Sequence, residues 1–338
     1  MNSRDVARKM ARSAFERLPD SVREDVKRRR GEMSGLGQLK DNQALLALRL
    51  AELERIVDPP APVTDVVPDG RFPDAVRSRL CTSAQFAEPW FDEWCQAMNE
   101  PNVAHRKVWE FTYIAHVLDT MGMLEPGKRG LGFGVGREPL ISAFAHRGVE
   151  VLATDLEPTS SEALGWVRSD QHAHTVEDML RPGVCDPDQF RKLVSWRAVD
   201  MRNIPADIQG YDFCWSACAF EHLGSLAEGL DFVENSVAAL RPGGIAVHTT
   251  EFNVESDDET IESGPTVIYR KRDLRAFKER MEAKGHEVAA FDFSRGEGLL
   301  DKYVDVPPYK EEPVLRFWYA QHVLTSVAVV VRAAPGRV

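Results

Sequence analysis

Residues 130–140 read GLGFGVGREPL, and after an apolar run residues 149–155 read VEVLATD. The first stretch predicts a strand that ends near Phe133, a glycine turn, and a helix that begins near Arg137. The second predicts a strand that carries Asp155 at its carboxyl end. Two strands joined through a helix form a βαβ unit, so this stretch predicts the start of a parallel sheet.

The glycines of this turn indicate a ligand that touches the backbone. Gly132, Gly134 and Gly136 lack the Cβ atoms that would hold a ligand away. At the tip of the next strand, Asp155 is placed to bind the two hydroxyls of a ribose. The pattern predicts a nucleoside-binding unit, although the glycines alternate as GxGxGxG and do not follow the dinucleotide spacing GxGxxG.

Five further motifs follow the glycine turn along the chain. They are VDM at 199–201, YDFCWS at 211–216, EHL at 221–223, LRPGG at 240–244 and IAVHTT at 245–250. Taken in order, they resemble the motifs of class I S-adenosylmethionine (AdoMet) methyltransferases. The LRPGG turn is the most specific of them, and the resemblance covers roughly residues 127–332.

The resemblance implies AdoMet as the cofactor and assigns its contacts position by position. Asp155 would bind the ribose, Asp200 the exocyclic amine of the adenine, and Met201 the adenine ring. The implied contacts are Gly132, Phe133, Gly134, Gly136, Asp155, Leu156, Asp200, Met201, Trp215 and Ser216. Gly130 departs from the family, which has Asp or Glu there to face the methionine ammonium, and Glu138 is a candidate replacement.

The predicted fold class is α/β, a Rossmann-like doubly wound sheet of seven strands with an N-terminal helical extension. The resemblance implies that the last strand is antiparallel to the others. After the strand that ends near Phe133, the strands are predicted at 149–154, 193–199, 211–216, 245–250, 286–293 and 325–332.

Three segments divide the chain in this interpretation. Residues 1–58 hold a basic N-terminal segment and a helix with apolar residues at heptad spacing, which predicts a coiled-coil homodimer or a helix packed on the protein's own core. Residues 59–104 hold a proline-rich linker and an aromatic-rich cap. Residues 105–334 form the catalytic domain. The basic segment predicts either a solvated surface or contact with anionic lipid or a partner enzyme.

Bulk composition narrows the functional classes. The formal net charge of −11 over 338 residues argues against a nucleic-acid partner, which needs a basic face. Five cysteines without CxxC spacing predict reduced thiols in the cytoplasm. The N-terminus has no apolar segment typical of a signal peptide, so we expect a cytoplasmic protein, with peripheral contact at the inner membrane face as one alternative.

Methyl transfer to an alcohol needs a general base or a metal ion near the methyl group. The ends of strands four and five supply His222, His248 and Glu251 as catalytic candidates, with His222 as the preferred base. Together with Glu221, these residues offer imidazole and carboxylate ligands for a divalent ion such as Mg²⁺ or Mn²⁺.

The Glu221-His222 step resembles the metal-binding part of ubiquinone-pathway O-methyltransferases and small-RNA 2′-O-methyltransferases. Those families have a further Glu three residues before the pair, where this chain has Cys218. A packed histidine at a helix start remains the alternative for His222.

The acceptor is predicted from a wider resemblance. HRKVWEF at 105–111, DFCWSACAFEHLGS at 212–225 and HTTEFN at 248–253 resemble methyltransferases of bacterial surface-glycan gene clusters. This implies an O-methyltransferase that acts on a sugar or polysaccharide hydroxyl. The alternatives are a metal-assisted RNA 2′-O-methyltransferase, a small-molecule O-methyltransferase and a non-catalytic scaffold. Aromatic residues that could stack on a sugar are Trp90, Trp94, Trp109, Trp215, Trp318 and Tyr319.

Overall fold

The computed structural model describes residues 35, 37–51, 53–54, 66, 70–157, 175–307, 309–310 and 312–336. The chain divides into two units between Leu53 and Glu54. The basic N-terminal segment, nearly all of the proline-rich linker and part of the long loop after the second predicted strand lie outside the described residues.

The first unit contains a helix whose described residues include 37–51 and 53. Four leucines of the heptad pattern are exposed on it: Leu39, Leu46, Leu50 and Leu53. A coiled coil would bury leucines at this spacing against a partner helix. Self-association through this helix stays a prediction.

The described part of the second unit alternates strands and helices. The strands are β1 Ser78–Arg79, β2 Arg129–Phe133, β3 Glu150–Asp155, β4 Val194–Ala198, β5 Tyr211–Ala217, β6 Gly224–Ser225, β7 Leu240–Asn253, β8 Ser263–Gly264, β9 Glu287–Val288, β10 Phe291–Asp292, β11 Val304–Asp305, β12 Arg316–Tyr319 and β13 His322–Arg332. The helices are α1 Pro89–Met98, α2 Arg106–Thr120, α3 Leu140–His146, α4 Pro187–Leu193, α5 Leu226–Ala238, α6 Lys271–Ala283 and α7 Leu299–Lys302, with short 3₁₀ turns at Ser83–Ala87, Val176–Met179 and Phe220–His222.

The main sheet has the order β11-β12-β13-β7-β5-β2-β3-β4, and β9 also pairs with β13. Strands β4, β3, β2, β5 and β7 are parallel, whereas β13 is antiparallel to β7. The predicted α/β fold class, including the antiparallel last strand, is confirmed. Within the part of the chain that the structure describes, the sheet has nine strands where seven were predicted, because β11 and β12 extend it beyond β13.

The core of this sheet follows from its sequence. In β13, Val327 through Val331 form a run of small and β-branched side chains that are fully buried. A strand buried on both faces reads as such a continuous apolar run. This strand lies between β7 and the short strands at the sheet edge, so it closes the core on that side.

Two predicted boundaries are corrected by the structure. The helix after the glycine turn begins at Leu140 rather than near Arg137, since Pro139 disfavours helical backbone at the residue before it. The predicted strand 286–293 splits into β9 and β10. After β9, the backbone amide of Val330 in β13 donates to Ser78 Oγ at 3.0 Å and not to the segment that follows β9. That segment, β10, pairs with β1 instead.

The aromatic-rich segment packs on α2. The His105 Nδ1 atom accepts from the Lys107 amide at 3.0 Å and caps this helix. Trp109 and Tyr113 lie one turn apart on the buried face of α2, and Trp90 of α1 packs edge-on against Tyr113 with ring centroids 5.8 Å apart. The aromatic cap therefore belongs to the same packed unit as the sheet.

No helix among the described residues is both long and apolar enough to cross a bilayer. All five cysteines are buried thiols outside any disulfide.

Candidate functional site

The parallel strands bring their carboxyl ends to one edge of the sheet. Asp155 is the last residue of β3, and the turn after β2 lies beside it. The chain after β5 carries Glu221, and the end of β7 carries Glu251. In open α/β sheets, ligands bind at this edge.

The glycine turn has the backbone shape that its sequence predicts. Gly134 and Gly136 have φ values of 58° and 48°, a region that favours glycine. The Gly136 amide donates to Asp155 Oδ2 at 2.9 Å, and the Leu156 amide donates to Asp155 Oδ1 at 2.7 Å. The turn and the strand tip are thereby tied together through the Asp155 carboxylate.

Positions 130 and 132 hold glycine, and an aromatic ring lies against each of them. A Cβ atom at Gly132 would stand 2.6 Å from Cζ2 of Trp215, and one at Gly130 would stand 2.5 Å from Cζ of Phe213. An acidic side chain at position 130 has no room beside that ring. The packing of β5 therefore explains why the acid expected from the resemblance is missing.

Glu138 lies next to the glycine turn and accepts a hydrogen bond from the Trp215 indole Nε1. The same indole ring packs beneath Gly132, so Glu138 is held close to the turn. Burial raises the pKa of Glu138 to about 8, against the hydrogen bond from Trp215, which lowers it. A carboxyl group of this kind ionises readily once a cation is placed beside it.

The two residues predicted to contact the adenine, Met201 and Asp200, make contacts within the protein. Met201 is buried, and its sulfur would lie 3.3 Å from a Cβ atom at Gly134. The Asp200 carboxylate pairs with Arg202, whose nearest guanidinium nitrogen lies 2.8 Å from Oδ2. Partial burial alone would raise the pKa of Asp200, but the hydrogen bonds from Arg202 outweigh it and lower the pKa.

Three implied cofactor contacts have side chains that pack inside the protein. Phe133 is fully buried and meets Phe232 edge-on, with ring centroids 5.2 Å apart. Trp215 is fully buried beneath the turn, and Ser216 bonds to His248. That these three residues contact the cofactor stays a prediction, and their backbone atoms would have to make the contact.

His248 is a structural histidine. The Ser236 hydroxyl donates to the Val233 carbonyl at 2.7 Å, so it accepts from His248 Nε2, 3.0 Å away. Ser216 then donates to Nδ1 at 2.8 Å, and both ring nitrogens are used. Burial lowers the pKa of His248 to about 3. The prediction of His248 as a catalytic residue or metal ligand is therefore corrected.

One ring nitrogen of His222 is fixed by the backbone. Its Nδ1 atom lies 2.8 Å from the carbonyl oxygen of Pro265, and a carbonyl only accepts, so Nδ1 carries the proton. Nε2 is then the basic nitrogen of the neutral ring, 3.9 Å from Oε1 of Glu221. Fixing one nitrogen through a backbone carbonyl sets which nitrogen takes up a proton.

Glu221 and Glu251 do come together, and the third member of their group is Cys218. Ligand atoms of these three residues all lie within 4.8 Å of one another. The Thr250 hydroxyl donates to Glu221 Oε2 at 3.1 Å. Among the described residues, Glu221 Oε1 and Glu251 Oε2 are buried and have no hydrogen-bond partner.

The sequence did not predict that the start of α2 would enter this group. The guanidinium group of Arg106 lies 2.9 Å from Glu251 and 3.0 Å from Glu110. Lys107 reaches the other oxygen of Glu110 at 2.9 Å. Burial alone would raise the pKa of Glu110, but Lys107 and Arg106 outweigh it and lower the pKa. Arg106 and Lys107 at the start of α2 are thus paired with acids.

The predicted metal ligands do not form one set. His248 lies elsewhere, and Cys218 takes its place beside the two carboxylates. Burial raises the pKa of the Cys218 thiol, whereas a metal ligand must be a thiolate. Arg106 also lies 3.9 Å from the Cys218 sulfur and pairs with Glu251. These residues are a poor fit for a divalent ion.

The aromatic candidates for sugar stacking separate by burial. Trp90, Trp94, Trp109 and Trp215 are buried. Trp318 and Tyr319 are 41% and 36% exposed at the end of β12. Because β13 is antiparallel to β7, and β12 to β13, these two residues lie at the same sheet edge as the end of β7.

Comparisons with known proteins give matches to solved structures alone. No family model and no curated protein matches the chain. A putative sarcosine dimethylglycine methyltransferase from Galdieria sulphuraria is 15% identical, with 66% of this chain and 84% of that one covered and a TM-score of 0.42. The methyltransferase domain of bacterial CtHen1-CN is 14% identical, with coverage of 66% and 96% and a TM-score of 0.41. The amino pentose methyltransferase CalS10 from Micromonospora echinaspora, solved with bound SAM, is 15% identical, with coverage of 72% and 96% and a TM-score of 0.37.

Proposed function

We propose that this protein is an AdoMet-dependent O-methyltransferase that methylates a hydroxyl of a sugar or polysaccharide during surface-glycan synthesis. The observation that carries the proposal is the pairing of two features at one sheet edge. One is the glycine turn tied to Asp155, and the other is His222 with its basic Nε2 directed by Pro265. A nucleoside cofactor and a general base are what such a reaction needs.

The cofactor side offers contacts for the ribose, the adenine and the ammonium group of AdoMet. The Asp155 carboxylate would bind the ribose hydroxyls, and the buried Met201 beside Gly134 would pack on the adenine. Glu138 would pair with the ammonium group in place of the acid that Phe213 excludes from position 130. When bound, AdoMet supplies an activated methyl group on a positively charged sulfur.

His222 would accept the proton that the acceptor hydroxyl loses. The hydroxyl oxygen forms the new bond to the methyl carbon, and the electron pair of the broken carbon–sulfur bond stays on sulfur. The hydroxyl proton passes to Nε2 of His222, while Nδ1 keeps its proton on the Pro265 carbonyl. The nearby Glu221 carboxylate, 3.9 Å from Nε2, would stabilise the imidazolium that forms.

The exposed aromatic pair supports a saccharide acceptor. Trp318 and Tyr319 offer ring faces at the sheet edge where the reaction would take place. Aromatic faces pack well against the apolar C–H faces of sugar rings. The Tyr309 hydroxyl donates to the Trp318 carbonyl at 2.9 Å and so supports this strand.

The test replaces the proposed base. In His222→Ala, we expect turnover to fall by ~10²-fold or more, the usual contribution of a general base, with AdoMet affinity unchanged. Methyl transfer is measured with radiolabelled AdoMet on bacterial surface polysaccharide, with bacterial RNA as a parallel acceptor. Binding is measured by titration calorimetry.

The matched control is His146→Ala, since His146 is exposed at the end of α3, away from the sheet edge. It should keep wild-type turnover. If His222→Ala keeps wild-type turnover, His222 is not the general base. If the label is transferred to RNA and not to polysaccharide, RNA is the acceptor instead. Binding of AdoMet without transfer to either acceptor would favour a scaffold.

A further inference from the structure

A buried cluster lies apart from the glycine turn. In it, the Arg106 guanidinium group lies beside three residues whose side chains could together hold a metal ion. Cys218, Glu221 and Glu251 offer three ligand atoms within 4.8 Å of one another. Arg106 lies 2.9 Å from one Glu251 oxygen and 3.9 Å from the Cys218 sulfur. Arg106 therefore contacts two of these three residues, Glu251 and Cys218.

Arg106 is fixed in this position from several sides. It pairs with Glu110 one turn further along α2, and it donates to Ser326 Oγ of β13 at 3.1 Å. Its guanidinium carbon lies 4.5 Å from the ring centroid of Phe317 in β12. An arginine held by three elements cannot swing away cheaply, because each contact would have to be broken.

The charges of the cluster are already largely compensated. Arg106 and Lys107 contribute two positive charges against the carboxylates of Glu110, Glu221 and Glu251. A divalent ion among the three ligand atoms would lie within a few ångströms of the guanidinium group. In a buried site that repulsion is only weakly screened.

We propose that Arg106 takes the place of a divalent cation in this cluster, so that the protein carries a fixed organic cation where related chemistry would use a metal. The guanidinium group binds Oε1 of Glu251, so this carboxylate already has a cation beside it. It also keeps the carboxylates of Glu110 and Glu251 apart and in fixed positions. Resting on the proposed function, this makes methyl transfer independent of added metal and leaves proton removal to His222.

The experiment measures Mn²⁺ binding to the full chain by electron paramagnetic resonance, without AdoMet or acceptor. We expect wild type to show no saturable site below about 1 mM Mn²⁺. Arg106→Gln should gain one site, and the double variant Arg106→Gln/Glu251→Gln should lose it again. Arg332→Gln is the matched control, because Arg332 pairs with Glu287 at the far end of β13 and should gain nothing.

A saturable Mn²⁺ site in wild type that disappears in Glu251→Gln would overturn the proposal, since the unpartnered oxygens of Glu221 and Glu251 would then hold a metal beside Arg106. A folded Arg106→Gln without a new site would overturn it as well. If Arg106→Gln does not fold, the wild-type and Glu251→Gln titrations still decide. These readouts need no methyl transfer, so they stay separate from the His222 test.

Discussion

The two halves of the sheet edge are built in different ways. On the cofactor side, the turn after β2 and the tip of β3 are shaped by backbone, with Gly136 bonded to Asp155. On the acceptor side, side chains from distant parts of the chain form the site, and Arg106 meets Glu251 across the sheet edge. The first half depends on the conformation of the backbone, whereas the second depends on ion pairs and hydrogen bonds between side chains.

Because of this difference, the two halves should be sensitive to different kinds of mutation. The glycine turn and its strand are disrupted when a side chain replaces a glycine, because the new Cβ atom meets an aromatic ring that cannot move. A side-chain network fails when one partner is removed, because the remaining group is left buried and unpaired. Each prediction below therefore adds volume, removes a partner or changes a charge at one defined place.

The largest loss of stability is expected from Gly130→Asp, which restores the acid of the family pattern. The new side chain would overlap the Phe213 ring, where a Cβ atom alone stands 2.5 Å from Cζ. Overpacking costs ~1–3 kcal/mol, and burying an unpaired carboxylate adds to it. We expect the free energy of unfolding in urea to fall by ~3 kcal/mol or more, with no gain in AdoMet affinity.

Gly37→Ala serves as the control for this change, since nothing lies within 4 Å of a Cβ atom at that helical position. It should be neutral or stabilising by up to about 1 kcal/mol. A Gly130→Asp protein that is as stable as wild type and binds AdoMet more tightly would show that the ring moves aside. The backbone account of the cofactor side would then be wrong.

A smaller loss of stability is expected from His248→Leu. The change leaves the hydroxyls of Ser216 and Ser236 without their imidazole partner inside the core. A buried polar group left unsatisfied costs ~1–3 kcal/mol. We expect the free energy of unfolding to fall by ~2 kcal/mol, while turnover per folded molecule stays within about threefold of wild type.

This result would be the reverse of that for His222→Ala, in which turnover falls and stability changes little. The two variants together separate a structural histidine from a reacting one. Loss of turnover in folded His248→Leu at unchanged AdoMet affinity would return His248 to the catalytic candidates.

The sequence predicted the glycine turn and its flanking strands well because their determinants are local. Glycine spacing, an apolar strand and an acid at the strand end all lie between residues 129 and 155, and β2 and β3 formed as predicted. The helix start was wrong by three residues, since the effect of Pro139 on the preceding residue was not considered.

The contacts around His222 and Arg106 were predicted only in part because the partners lie far apart in sequence. Pro265 and His222 are 43 residues apart, and Arg106 and Cys218 are 112 apart. No local pattern predicts such contacts. One signal was available: His248 and Glu251 are three residues apart in a strand, and odd spacing places side chains on opposite faces.

The smallest effect is expected from Glu138→Gln, which tests the replacement for the missing acid. Burial raises the pKa of Glu138 to about 8, so at pH 6.5 the carboxyl group is mostly protonated in the free protein. Pairing with the ammonium group of AdoMet would ionise it and release about one proton. Calorimetry in two buffers of different ionisation enthalpy measures that proton. Glu138→Gln should release none and bind AdoMet about tenfold more weakly, a loss of ~1.4 kcal/mol.

The sign of the pH dependence follows from the same raised pKa. Because binding favours the ionised carboxylate, wild-type affinity should rise as the pH increases from 6 towards 7.5, while the Gln variant stays nearly flat. Asp155→Asn is the matched control: it should weaken AdoMet binding through the ribose and still release the proton. Equal proton release by wild type and Glu138→Gln would mean that Glu138 does not meet the ammonium group. The raised pKa would then be a consequence of packing against Trp215, and the cofactor side would hold its ligand through backbone and Asp155 alone.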